Sequence, residues 1–324
     1  MLINRLLIFI LYFLFVFSKR LDRQKKIIYI VYAINNKYTD YFCSSVISLL
    51  ENSERNTIYH IKIQVGSSFE QKNKDTILNL EKYYYNLFIQ FIDMSNEFLY
   101  AVKGKLDQST YYRLHLPILV QNINRIIHID SDTVILKDLT ELYTLNFERK
   151  YILGRLDMIT DELDKLGIFT KIYINCGVIL MDLYSLRKNN YTSKFNNYVK
   201  NHNNYNFLNH HDQTCINFVC YDRIGLFRPK YHMWPFLTEK EVMEFNKKLR
   251  YPYNEKVFLE DYYDPFIVHF PGEYKNEKKY LSNKYFKIFV EFRGKADNLK
   301  NYNNTANFIN ITNAMNIKNV TKIS

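Results

Sequence analysis

The chain is predicted to be an α/β protein with a mostly parallel twisted sheet, helices on both faces and a smaller mixed half. Three observations predict this. Apolar strands alternate with helical patterns over residues 27–129, as in sheets covered on both faces. The β-branched run Arg125-Ile126-Ile127-His128-Ile129 ends in two acids, as a buried strand ending at a site does. At 324 residues, 47% hydrophobic and 17% aromatic, the chain can bury a large core.

Residues 27–33 form a compact apolar strand, and residues 38–50 follow as a helix with Phe42, Val46, Leu49 and Leu50 on one face. Residues 58–65 alternate, with Ile61, Ile63 and Val65 set against Lys62 and Gln64, and make a second strand. Residues 69–84 read as a helix, 87–92 as a third strand, 110–119 as a helix carrying Arg113, and 125–129 as a fourth strand. Ligands of such sheets bind at the carboxyl ends of the strands. Ala33, Asn35 and Asp130 fall at such ends, so one mouth is expected to hold them.

The second half is more mixed. Residues 173–181 make a strand with a polar break, and residues 183–199 and 210–219 make helices. Residues 227–265, with Pro229, Pro235, Pro252 and Pro265, read as long loops that shape a substrate site. Residues 298–324 are Asn-rich and poor in apolar side chains, and are expected to be a loosely attached tail.

At the other end, the apolar run Leu6 to Phe17 is shorter than the roughly 20 residues of a bilayer-spanning helix. It fits the core of a secretory signal, with Val16 and Ser18 at the small-residue positions before a cut. The alternative is a short membrane anchor, which Lys19, Arg20, Arg23, Lys25 and Lys26 after the run oppose. Residues 1–18 are thus read as signal peptide or anchor. Both readings lead to the secretory pathway, in the endoplasmic reticulum or Golgi lumen, and the second adds membrane association.

The net charge of +11 is compatible with phosphorylated ligands. A nucleic-acid groove would bring Arg clusters or a recognisable module; neither is present, so no nucleic-acid partner is expected. Cys43, Cys176, Cys215 and Cys220 are too few and scattered for a disulfide scaffold, although an oxidising lumen would allow a Cys215–Cys220 bridge. Glycosylation sequons stand at Asn190, Asn303, Asn310 and Asn319.

The chemistry concentrates at Asp130-Ser131-Asp132. Carboxylates are costly to bury without a partner. Two of them, two positions apart at a strand end, can share one hard divalent cation that also holds a diphosphate.

Together with motifs further along, this pair makes the chain resemble glycosyltransferase family 8: retaining transferases with a GT-A fold, Rossmann-like, that use nucleotide sugars and Mn²⁺. The similarity spans residues 27–275, with the motifs in the family's order. It implies a catalytic domain over residues 19–297, with its mixed half on the acceptor side. Ile30-Val31-Tyr32-Ala33 with Asn35, Tyr38 and Tyr41 resembles the nucleotide-binding opening. There Ala33 and Asn35 would contact uracil, and Tyr38 would stack on it. The family usually has Asp where Asn35 stands; an amide can still accept from the uracil N3–H.

Tyr112-Arg113-Leu114 is similar to a segment whose Arg reaches the donor sugar and the acidic cluster. Asp130 and Asp132 would ligate Mn²⁺ on the diphosphate with Ser131 between them, while Asp138 would cap a helix. Asp157, in Arg155-Leu156-Asp157, would hold sugar hydroxyls. In Asn175-Cys176-Gly177-Val178, Asn175 would do the same and Gly177 would let the backbone approach the sugar. His211-Asp212-Gln213-Thr214 resembles a segment in which Asp212 contacts the donor sugar and Gln213 faces the anomeric carbon; Thr214 replaces a second Asp. In Val268-His269-Phe270-Pro271-Gly272-Glu273-Tyr274-Lys275, His269 would complete the metal shell. Gly272 and Lys275 would meet the phosphates, and the family's Pro-Trp after this Lys is missing.

The resemblance implies Mn²⁺-dependent, front-face, retaining transfer of a hexose or pentose from a UDP-sugar to a hydroxyl of a glycan or glycoprotein. An inactive sugar-nucleotide-binding or lectin-like protein on the same fold is the rival, to which Asn35 and Thr214 point. A nucleotidyltransferase would need a Gly-rich phosphate loop after the first strand, and residues 34–37 contain no Gly.

Overall fold

The computed structural model describes residues 24–101, 107–157, 172–201, 211–236, 238–249, 252–272 and 282–301. The apolar segment 6–17, Lys275, the sequons from Asn303 onward and the tail beyond Asn301 lie outside them. No helix among the described residues is long and apolar enough to cross a membrane.

The first half follows the expected alternation. Strand β1 (Lys26–Ala33) leads into α1 (Thr39–Glu51). Then come β2 (Thr57–Val65), α2 (Gln71–Leu78), α3 (Leu80–Tyr83) and β3 (Leu87–Asp93). The helix expected over residues 69–84 is thus two helices meeting at Asn79. That expected over residues 110–119 is a 3₁₀ turn (Gln108–His115) followed by the short α4 (Leu116–Leu119), with Pro117 in its first turn. Strand β4 (Arg125–Ile129) agrees with its expected bounds, and β5 (Thr133–Ile135) follows after the Asp-Ser-Asp turn.

Next come α5 (Thr140–Tyr143), β6 (Ile152–Leu156) and β7 (Ile174–Asp182). The helix expected over residues 183–199 is broken into α6 (Leu183–Lys188) and α7 (Tyr191–Asn201). The break is at Asn190, whose φ of 55° is left-handed. Helix α8 (His211–Val219) and strand β8 (Ile224–Leu226) follow.

Residues 227–265 are not the long loops expected. They hold a 3₁₀ turn (Pro229–Tyr231), α9 (Glu239–Lys248) and α10 (Glu255–Tyr263). Thr238 and Asn254 cap these helices by accepting from backbone amides in the first turns. Strand β9 (Ile267–His269) precedes α11 (Lys284–Asn301), which continues past residue 298, where the tail was expected to begin.

The main sheet has the order β3-β2-β1-β4-β7-β6-β8. Strands β1 to β4 are mutually parallel, whereas β7 runs antiparallel to both β4 and β6, making the mixed half. A second, two-stranded sheet pairs β5 with β9. The two faces of the main sheet carry separate cores. Ile28, Ile30 and Tyr32 of β1 pack with α1, α9, α10 and α11 on one side. Ile126 of β4 packs with Leu114, Leu186, Phe195 and Ile216 on the other. All four cysteines are buried free thiols, so no Cys215–Cys220 bridge forms.

Candidate active site

The Asp-Ser-Asp turn leaves β4 at the carboxyl edge of the parallel strands. Pairing of Val31 with His128 carries the end of β1, and hence Ala33, to the same edge. A buried hydroxyl relay holds the turn from behind. Tyr32 Oη and Ser45 Oγ are 3.0 Å apart, Ser45 Oγ and Thr133 Oγ1 are 2.8 Å apart, and Thr133 donates to the Asp130 carbonyl at 3.0 Å. Ser48 of α1 accepts from the Ile135 amide at 2.8 Å, which fixes β5. Polar groups buried this deeply need partners, and serines on the inner face of α1 supply them.

Strand β9 brings His269 opposite Thr133. Its Nε2 lies 3.1 Å from Asp132 Oδ1 and 3.9 Å from Asp130 Oδ2. One ligand atom from each of Asp130, Asp132 and His269 lies within 4.8 Å of the other two. Asp132 and His269 are buried; the Asp130 carboxylate remains one-third accessible, opening the cluster to solvent. Desolvation raises the Asp130 carboxyl above its ordinary value, against the opposing pull of Arg113 and His269. Two carboxylates and an imidazole are a donor set that suits a divalent cation, which would offset their charge.

Gly177 is required here for a reason different from the expected approach to a sugar. A Cβ on it would lie 2.4 Å from His269 Cε1 and 2.7 Å from Nδ1, so its absence makes the space the ring occupies. Gly272, three residues beyond His269, has φ +54° with open space around it, so its backbone conformation is what calls for glycine.

A bulge in β7 organises the rest. Gly154 pairs with Ile179 but Arg155 with Asn175, so the intervening residues of β7 leave that ladder. Asn175 Oδ1 accepts from the Gly177 amide, and the Gly177 carbonyl accepts from the Asp130 amide at 2.7 Å. Side chains satisfy the freed backbone of Cys176: its amide donates to Gln213 Oε1 at 3.0 Å, and its carbonyl accepts from Arg113 at 2.6 Å.

Arg113, buried, also reaches Asp130 at 3.0 Å and Asp212 at 3.2 Å, joining acids from two elements. The two carboxylates help hold its guanidinium pKa above the ordinary value against desolvation. Gln213 Nε2 donates to Asp157 Oδ2 at 3.1 Å, and Asn175 Nδ2 donates to the same oxygen at 2.9 Å. A carboxylate on one side and an amide N–H on the other fix which end of the Gln213 amide is which.

The structure thus joins Arg113, Asp130, Asp132, Asp157, Asn175, Gly177, Asp212, Gln213 and His269 in one cluster, with Ser131 buried in the turn. Ala33, Asn35 and Tyr38 line the neighbouring end of β1. Asn35 Oδ1 caps the following 3₁₀ turn (Asn36–Tyr38) by accepting from the Lys37 amide, which leaves a second lone pair on that oxygen. The ring of Tyr38 lies 5.6 Å from that of Tyr41, tilted by 42°. Asp138 is not the N-cap of α5, a place Leu139 takes, but it accepts from the Thr140 amide at the helix start, and also from the Glu54 amide and Tyr59.

Two residues of the site went unnoticed in the sequence. His232 is fully buried, with its Nε2 2.8 Å from His269 Nδ1. Burial and the nearby Arg155 push its pKa well down. Tyr173 lies 3.1 Å from Thr214 Oγ1, so the residue replacing the family's second Asp has a buried structural partner.

Comparison with known proteins agrees with this geometry. General stress protein A of Bacillus subtilis (strain 168) is 27% identical over 259 residues, spanning 77% of this chain and 87% of that protein. The galactosyltransferase LgtC, solved in complex with donor and acceptor sugar analogs, superposes with a TM-score of 0.66 at 18% identity, covering 83% of this chain and 96% of that one. The bifunctional glycosyltransferase WbbM superposes equally well at 19% identity, but this chain spans only 50% of its length. These likenesses establish the GT-A fold. Since the family model described as glycosyl transferase family 8 matches residues 29–276, most of the chain, the protein belongs to that family and is a glycosyltransferase.

Proposed function

We propose that the protein transfers a hexose or pentose from a UDP-sugar to a hydroxyl of a glycan or glycoprotein, with retention of configuration and dependence on Mn²⁺. The convergence of Asp130, Asp132 and His269 at the carboxyl edge of the sheet carries the reading. Those three residues would hold the ion. When bound, it supplies Lewis-acid neutralisation of the leaving diphosphate.

The chain's own residues do the rest. Arg113 fixes Asp130 and Asp212 relative to the β7 bulge, so the acids face the donor without a search over rotamers. Asp157, Asn175 and Asp212 offer hydrogen-bonding groups of the kind that hold sugar hydroxyls. Gln213 carries a neutral amide, a poor nucleophile, and this favours front-face departure through an oxocarbenium-like ion pair over a covalent intermediate. The C1–O bond to UDP breaks, the acceptor oxygen bonds to C1 on the same face, and its proton passes to a phosphate oxygen of the leaving UDP. Sequence at residues 1–18 supports work in the secretory pathway, on either side of signal cleavage.

UDP release from a panel of UDP-sugars, with Mn²⁺ and with EDTA, tests the proposal. Turnover of at least one donor, lost in EDTA and in Asp132→Ala, is expected. Full turnover in EDTA would refute the metal's part, and no UDP release from any donor would favour the binding-only rival.

A further inference from the structure

His232 lies outside every motif described above, yet it makes the closest contact to the outer nitrogen of His269. Its neighbourhood is built to bring it there. The Met233 amide donates to the Ile267 carbonyl at 2.9 Å, and the His269 amide donates to the Met233 carbonyl at 2.7 Å. These bonds lay residues 232–233 alongside β9, and the two imidazoles face each other at 5.1 Å with a 32° tilt. His269 is then held on three sides: by Asp132 at Nε2, by His232 at Nδ1, and by the bare Cα of Gly177 along its Nδ1–Cε1 edge.

An imidazole that ligates a cation through Nε2 must carry its proton on Nδ1, and the partner at Nδ1 sets that choice. A backbone carbonyl would lock one tautomer. An imidazole partner does not: its nitrogen either accepts or donates. Without a cation, His232 Nε2–H can donate to His269 Nδ1 while His269 Nε2–H donates to Asp132. With one, His269 Nδ1–H donates to His232 Nε2, leaving the His269 Nε2 lone pair facing the acids. Among the described residues His232 Nδ1 has no hydrogen-bond partner, so the contact at Nε2 is the one that orients this ring.

We infer that His232 is a positioning residue which keeps His269 hydrogen-bonded in both tautomers and so presents its Nε2 to the divalent cation. This rests on the metal reading above. Mn²⁺ binding to the full chain, followed by electron paramagnetic resonance of the free ion, tests it in wild type, His232→Leu and His232→Gln. Loss of a partner behind a ligating histidine typically weakens metal binding about 10–100-fold, and that loss is expected for Leu. Gln offers both an acceptor and a donor and should recover most of it.

Unchanged affinity in His232→Leu, or equal losses in Leu and Gln, would overturn the inference while leaving the cation site intact. A wild-type chain that binds no Mn²⁺ would instead overturn the metal reading and this inference with it. Nitrogen-15 shifts of the wild-type chain loaded with diamagnetic Mg²⁺ need no variant: a protonated His269 Nδ1 is expected, and a bare one refutes the idea.

Discussion

Gly177 and Gln213 show how little slack surrounds the reacting centre. In Gly177→Ala the new methyl would sit 2.4 Å from His269 Cε1, so the ring and the backbone cannot both keep their places, and the contact to Asp132 is put under strain. Mn²⁺ affinity should fall by about tenfold or more with the fold kept, as read by metal titration beside circular dichroism. Gln213→Ala strips the acceptor from the buried Cys176 amide, a cost of about 1–3 kcal/mol in stability. It should also lower kcat more than it raises the donor KM; unchanged kcat would remove Gln213 from the reaction. Asp130 and Asp132 were legible in sequence because they stand two positions apart at the end of an apolar strand, whereas His269, Asp157 and Asp212 were legible through segments that resemble the family's. His232 was not, since its contact depends on pairing between Met233 and β9 that no local pattern encodes. The steric need for Gly177 was equally hidden, because the ring that fills its space comes from a remote strand.

Helix α9 begins with Thr238 and has Glu241 three residues on, the capping-box spacing, and Asn254 caps α10. The four prolines that suggest loops across residues 227–265 all fall outside these two helices. Asn283 likewise accepts from the Tyr285 and Phe286 amides at the start of α11. Strands β5, β8 and β9 are three residues each, too short for a period to register. Between elements, Asp138 binds the start of β2 to α5 through the Glu54 amide, Tyr59 and the Thr140 amide. Desolvation pushes its carboxyl up, but hydrogen bonds, those of the Glu54 and Thr140 amides among them, hold it below its ordinary value. A depressed carboxyl stabilises the fold above its unfolded value, and the contribution is lost as pH falls through the folded one. Asp138→Ala should therefore lower stability by about 1.5–3 kcal/mol at neutral pH, and the gap to wild type should close in acid, as denaturant melts across pH would record.

Across the whole molecule, the first four strands and their order along the chain were readable because each is an apolar or alternating run and helical patterns separate one from the next. The reversal of β7 was not, since strand direction is set by the connections between strands and leaves no mark on a single strand's composition. The proposed cation ligands bridge the two sheets, so binding should report on global folding. Saturating Mn²⁺ at about 100 times its Kd should add about 2.7 kcal/mol, seen as a rise in Tm that Asp132→Asn abolishes. The ribbon of β5 and β9 has a temporal consequence as well. Asp132 and His269 are 137 residues apart, so a nascent polypeptide still on the ribosome displays the acids long before the imidazole exists. Until β9 emerges and closes that long span, such a chain has at best a weak, two-carboxylate grip on any ion. If the proposed cation binds there, its loading would be a late event in the enzyme's biogenesis, following the folding that brings β9 beside β5.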